Sequence, residues 1–94
     1  MYGLSDSHYS QIGTVLSQNG VKSAVIFGSR AKGIHRPNSD IDIAIFDSEV
    51  NVNHIAQELD DLPSPYKFDV VEYHRLENLA LREHIIRVGQ PLHL

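Results

Sequence analysis

Cysteine is absent from the 94-residue chain, which excludes both a disulfide framework and a thiolate metal site. The lack fits a reducing compartment. No apolar run approaches the ~20 residues that a membrane-crossing helix requires. The opening residues, MYGLSDSHYSQIG, lack the basic-then-apolar order of a secretory signal, so a cytoplasmic location is expected. Low-complexity tracts, internal repeats and linkers are missing too, and 41% of the residues are apolar, which sets disorder aside. Positive charge is sparse, with 8 Lys and Arg against 12 Asp and Glu and a formal charge of −4. Such a chain offers nucleic acid no broad electrostatic footprint, and nucleic acid is not expected as its direct substrate. The length suits one domain over residues 1–94. Its core should be modest, because a chain this short buries roughly 60% of its unfolded surface.

What the chain does have is concentrated in residues 28–42, GSRAKGIHRPNSDID. The pair Gly28-Ser29 closes one apolar run, AVIF, and Asp40-Ile41-Asp42 opens another, IDIAIF. Carboxylates two positions apart on a strand project from the same face. Set opposite a turn of phosphate size, they suit a divalent metal that itself holds a nucleotide. Arg30, Lys32 and Arg36 make a local basic cluster beside the turn, better matched to a small anion than to a polymer.

The rest of the chain places these residues. Residues 5–18 read as a helix, capped by Ser5 or Asp6, with Ile12, Val15 and Leu16 at helical spacing and Asn19-Gly20 closing it. Residues 22–27 read as a buried strand, a short helix or turn starts at Ser29, and 33–39 form a loop that Pro37 keeps from being helical. A second strand spans 40–46, with Ile41, Ile43 and Ile45 on one face and Asp40, Asp42, Ala44 and Phe46 on the other. A helix over 51–61, a strand over 67–73 and a helix over 76–88 complete an α-β-α-β-α-β-α order. If the Gly-Ser turn and the aspartates form one site, the first two strands are antiparallel. For Asp69 to join them, the third strand must run parallel to the second, and the helix between supplies the crossover. The expected architecture is α/β, a three-stranded mixed sheet with helices over one face.

The chemistry follows from the ligand types. Magnesium takes oxygen ligands, using a few carboxylates and completing its shell with water and substrate phosphates. Asp40 and Asp42 are expected to hold one ion on the nucleotide phosphates. Asp69 is the candidate ligand of a second ion, or the base for the attacking hydroxyl. In two-metal phosphoryl transfer such ions lie roughly 3.5–4 Å apart. Gly28 admits the backbone close to a phosphate, and Ser29 adds a hydroxyl and a backbone N–H at a helix start. Arg30 is expected to screen the triphosphate, ahead of Lys32. A D-x-D alone is commonly a turn or a cap, and a Gly-Ser pair says less still. The specificity lies in their joint placement with a third aspartate. The histidines at 8, 35, 54, 74, 84 and 93 lack close ligand spacing, so zinc is not expected. Of these, His35 alone falls near the proposed site. Glu72 should face away from Asp69, and Asp60-Asp61 should be solvated.

The stretch GSRAKGIHRPNSDIDIAIF, with ten residues between Ser29 and Asp40, resembles the signature of the nucleotidyltransferase superfamily that shares the DNA polymerase β palm fold. FDVV matches where that family places its third carboxylate, here Asp69. REHIIRVGQPLHL is similar to the closing helix and tail of its minimal members, so the resemblance spans roughly residues 22–94. The chain is too short for the acceptor-binding domains of larger members and looks like the minimal (MNT) type, antitoxins paired with a helical HEPN-domain toxin. The resemblance implies Mg²⁺-dependent transfer of AMP from ATP to a tyrosine of that partner within a hetero-oligomer. The alternative is a non-catalytic binding module that neutralises a helical partner by covering it.

Overall fold

The computed structural model describes residues 2–94. Local chemistry sets the helix starts. Helix α1 (Asp6–Gln18) begins where the Ser5 hydroxyl accepts the His8 N–H at 3.1 Å. Helix α3 (Val52–Asp60) begins where the Asn51 side chain accepts the His54 N–H at 3.0 Å. Helix α4 (Leu79–Val88) begins where Asn78 accepts the Leu81 N–H at 3.1 Å. Each side chain satisfies a donor that the helix itself leaves unpaired. Between them lie β1 (Ala24–Phe27), the one-turn helix α2 (Ser29–Lys32), β2 (Ile41–Ile45) and β3 (Phe68–Glu72). A 3-10 turn over Tyr73–Arg75 leads towards α4, and β4 (Gln90–Pro91) follows it.

The sheet runs β3-β2-β1-β4, with β1 and β2 antiparallel and β2 and β3 parallel. Those two directions are the ones required for a shared site. The sheet has four strands, however, not three. β4 pairs antiparallel with β1 through Val25↔Pro91 and Ile26↔Gln90. Two residues, one of them proline, show no alternation from which a strand is read, and proline is tolerated because the strand lies at an edge. Gly89 makes the pairing possible: a Cβ there would stand 2.9 Å from Val25 Cγ2 and collide with the Ile85 carbonyl oxygen.

The expectation of helices over one face is also corrected. Helices α1 and α3 bury Ile12, Val15, Leu16, Val52, Ile55 and Leu59 against Ile26, Ile41, Ile43 and Ile45. Helix α4 covers the other face, where its Ile85 packs with Phe27 and Ala44. The reason lies in β2 itself. Ala44 and Phe46 share a face with Asp42, so that face is apolar beyond its acidic end and needs a cover of its own. Among the described residues, no helix is long and apolar enough to cross a membrane.

Ile85 is the anchor of α4, at 1% exposure. Ile85→Ala is expected to cost about 2–5 kcal/mol, read as a lower urea midpoint. A loss under about 1 kcal/mol would mean that α4 is not docked on the sheet as described.

Candidate functional site

Strand register assembles the site. Asp42 pairs with Phe27 of β1 on one side and with Asp69 of β3 on the other. Residues level with each other on neighbouring strands share a face, with the strands about 4.8 Å apart. Asp42 and Asp69 therefore stand side by side. Asp40, just before β2 and two residues from Asp42, projects the same way. Gly28 follows Phe27, so the turn begins beside Asp42. Its φ of 76° and ψ of −152° are open to glycine, and a Cβ there would collide with Asp42 Oδ2. The carboxylate and the turn are thus in direct apposition. Ser29, half-buried, opens α2 next to them.

The carboxylates act on one another. The Asp42 carboxyl is pushed up to about 6, first by burial, then by Asp69, then by Asp40. Asp40 and Asp69 are exposed, and Asp42 is half-buried. Among the described residues, no three His, Asp or Glu side chains close into a ready-made metal cage. The donor set still fits magnesium, a hard cation that binds through one or two carboxylates plus waters and substrate phosphates. An all-oxygen site, with one carboxyl driven towards its protonated form by burial and by its neighbours, is one that a cation would relieve.

Arg30 is not where the sequence places it. Its side chain is buried, at 1% exposure. The guanidinium donates to the carbonyl oxygens of Tyr2 at 2.8 Å and Ser39 at 3.0 and 3.2 Å, and lies 4.8 Å from the centre of the Tyr66 ring. Committed to the interior, it does not face the phosphate turn. Lys32, exposed at the end of α2, is the cation left on that helix. His35 also turns elsewhere, with its ring packed against Gly3. The histidine on the carboxylate side of the sheet is His84 of α4, set edge-on to Phe27 at 6.3 Å. Burial and the charges of Lys32 and Arg87 lower its proton affinity. Sequence reasoning missed His84 because only the packing of α4 over this face brings it there. Glu72 lies off the site as expected, paired with Arg75 at 2.8 Å. An apolar groove of about 560 Å³ along α4, lined by Tyr73, Leu79, Arg82 and Ile86 among others, includes none of the three aspartates.

Known proteins share this fold. The family model described as "Polymerase beta, Nucleotidyltransferase" matches residues 10–93. Among solved structures, a toxin–antitoxin crystallised with AMP-PNP is similar at 26% identity and a TM-score of 0.73, over 90% of this chain and 72% of that one. A mutant of the toxin–antitoxin MntA–HpeT, carrying two aspartate-to-glutamate changes, is similar at 25% identity and a TM-score of 0.70, over 90% and 71% of the two chains. No curated protein matches significantly.

Two outcomes follow from the geometry. The Asp42 carboxyl has an ordinary value of 3.8 and a folded value of about 6. Between these pH values the native state holds the extra proton, so stability falls as pH rises through that window. Asp42→Asn, measured in chelator, should raise the melting temperature at pH 8 by a few degrees, after discounting about half of the effect for solvent screening. The gain should vanish below pH 4, where the wild-type carboxyl is already neutral; a gain equal at both pH values would show that Asp42 titrates normally. Gly28→Ala should force the Asp42 carboxylate away from the turn and lower the melting temperature by several degrees. An unchanged melting temperature would separate the carboxylate from the turn.

Proposed function

The chain belongs to the polymerase beta nucleotidyltransferase family, and we propose that it transfers AMP from ATP to a hydroxyl group of a protein partner, acting as the antitoxin of that partner. The observation that carries this reading is the row Asp42–Asp69 set against Gly28, a carboxylate pair and a phosphate-sized turn in apposition. The similar structures support it, since one is a toxin–antitoxin with AMP-PNP. The partner proposed is a helical HEPN-type toxin, with a tyrosine as the acceptor and a hetero-oligomer as the working form. The proposed location is the cytoplasm.

In this reading Asp40 and Asp42 would hold magnesium on the nucleotide phosphates, and Asp42 with Asp69 a second ion. Bound there, magnesium would neutralise phosphate charge and lower the pKa of the attacking hydroxyl. The chain's own residues do the positioning. Gly28 lets the backbone approach the triphosphate, and Ser29 offers its hydroxyl and amide. Lys32, rather than Arg30, supplies the positive side chain from α2. The acceptor oxygen bonds to the α-phosphorus, the bond to the departing pyrophosphate breaks, and the hydroxyl proton passes to Asp69.

The test is the intact mass of the protein encoded beside this one, after co-expression with wild type or Asp40→Asn. An added adenylyl group with wild type alone is the expected result. A stable complex with no added mass would favour neutralisation by covering. Asp69→Asn should reduce transfer by at least about a hundredfold while leaving ATP affinity within a few-fold. Equal loss of both would end the assignment of Asp69 to the acceptor.

A further inference from the structure

Arg30 is the one charged side chain that is buried among the described residues. Taking a cation out of water is costly, and an apolar side chain of similar size fills such a space without that cost. What an apolar side chain lacks is a planar fork of five donors. Here the fork gathers separate segments of chain. Nη1 donates to the Tyr2 carbonyl at 2.8 Å. Nε and Nη2 both donate to the Ser39 carbonyl, at 3.2 and 3.0 Å, and Nη2 reaches the Pro37 carbonyl at 3.4 Å. The guanidinium carbon lies 4.8 Å from the centre of the Tyr66 ring.

Ser39 is the residue before Asp40, and the peptide plane that joins them is rigid. Two hydrogen bonds on the Ser39 carbonyl therefore orient the Asp40 amide as well. On the other side of Asp40, the Ile41 amide donates to the Lys67 carbonyl at 2.9 Å. Asp40 is held between two anchored peptide groups. Lys67 adjoins Tyr66, so both anchors lead back to the same guanidinium. The loop itself is closed by the Ser39 hydroxyl, which accepts the Arg36 N–H at 2.7 Å.

We propose that Arg30 is a positioning residue for the Asp40 and Asp42 carboxylates: from inside the fold it sets the course on which the chain enters β2, and so where the carboxylates stand relative to Gly28. This rests on the reading of those carboxylates as the metal–nucleotide site. Arg30 acts through the Ser39 backbone and touches no nucleotide.

Arg30→Lys keeps the charge and most of the stem but loses the fork. Two measurements test it: amide hydrogen exchange of the free protein, and calorimetric binding of Mn²⁺ with AMP-PNP. Exchange at the amides of Ile41 and Asp42 should quicken about tenfold, with those of Val25 and Ile26 within about twofold of wild type. Binding of Mn²⁺ with AMP-PNP should weaken about tenfold, beyond what any change in melting temperature accounts for. Unchanged exchange at Ile41 and Asp42 overturns the proposal, and so does uniform quickening across β1 and β2, the mark of a merely structural role. If wild type itself fails to bind Mn²⁺ with AMP-PNP, the nucleotide reading falls, and the exchange pattern alone decides whether Arg30 orders this segment. If Arg30→Lys does not fold, Tyr66→Leu removes the ring and leaves the fork. It should quicken exchange at the same two amides about threefold, and unchanged exchange there overturns the proposal.

Discussion

Strand β2 is gripped on both faces and along both edges. Ile41, Ile43, Ala44 and Ile45 keep no exposed surface, and β1 and β3 pair with the strand on either side. Alternate residues of a strand face opposite ways. Burying the three isoleucines beneath α1 and α3 therefore leaves Asp42 a single orientation. A slip of one residue would expose the isoleucines and bury the carboxylate. The Gly28 turn and Asp69 reach the site only through their register with this strand.

That grip holds like charges together against their repulsion. Each fully buried isoleucine contributes about 1.5–3 kcal/mol. The repulsion among the aspartates is screened by solvent, since two of them are exposed. The core outweighs it, and burial of the Asp42 carboxyl, with the neighbouring charges of Asp69 and Asp40 added, appears as its raised proton affinity. A buried carboxyl with two like charges beside it is destabilising when ionised. Stability is given up at the acidic end of β2 and recovered along the rest of it.

The basic residues are divided between two tasks. Arg30 and Lys32 are two positions apart on the single turn of α2, which rotates them by roughly 200° relative to each other. One enters the interior and gathers backbone carbonyls; the other is exposed, and its charge adds to burial in lowering the proton affinity of His84 on α4. Helix α4 is thus more than a cover for Phe27 and Ala44. It brings His84 to the side of the sheet that carries the aspartates, edge-on to Phe27.

Much of this was written in neighbouring residues. The Ser5 cap, the apolar spacing of the helices and the two faces of β2 depend on contacts within a few positions. They could be read one segment at a time. The strand directions followed from one further requirement, that Gly28, Asp42 and Asp69 meet. Long-range packing settled the remainder. β4 exists because Gly89 lets the chain close onto Val25, although its own two residues carry no strand pattern. Helix α4 lies over the second face because α1 and α3 fill the first. Arg30 turns inward because the rotation of α2 on the sheet directs it so, and no spacing along the chain records that rotation. Periodicity is a property of adjacent residues, whereas the direction of a single side chain depends on everything packed around it.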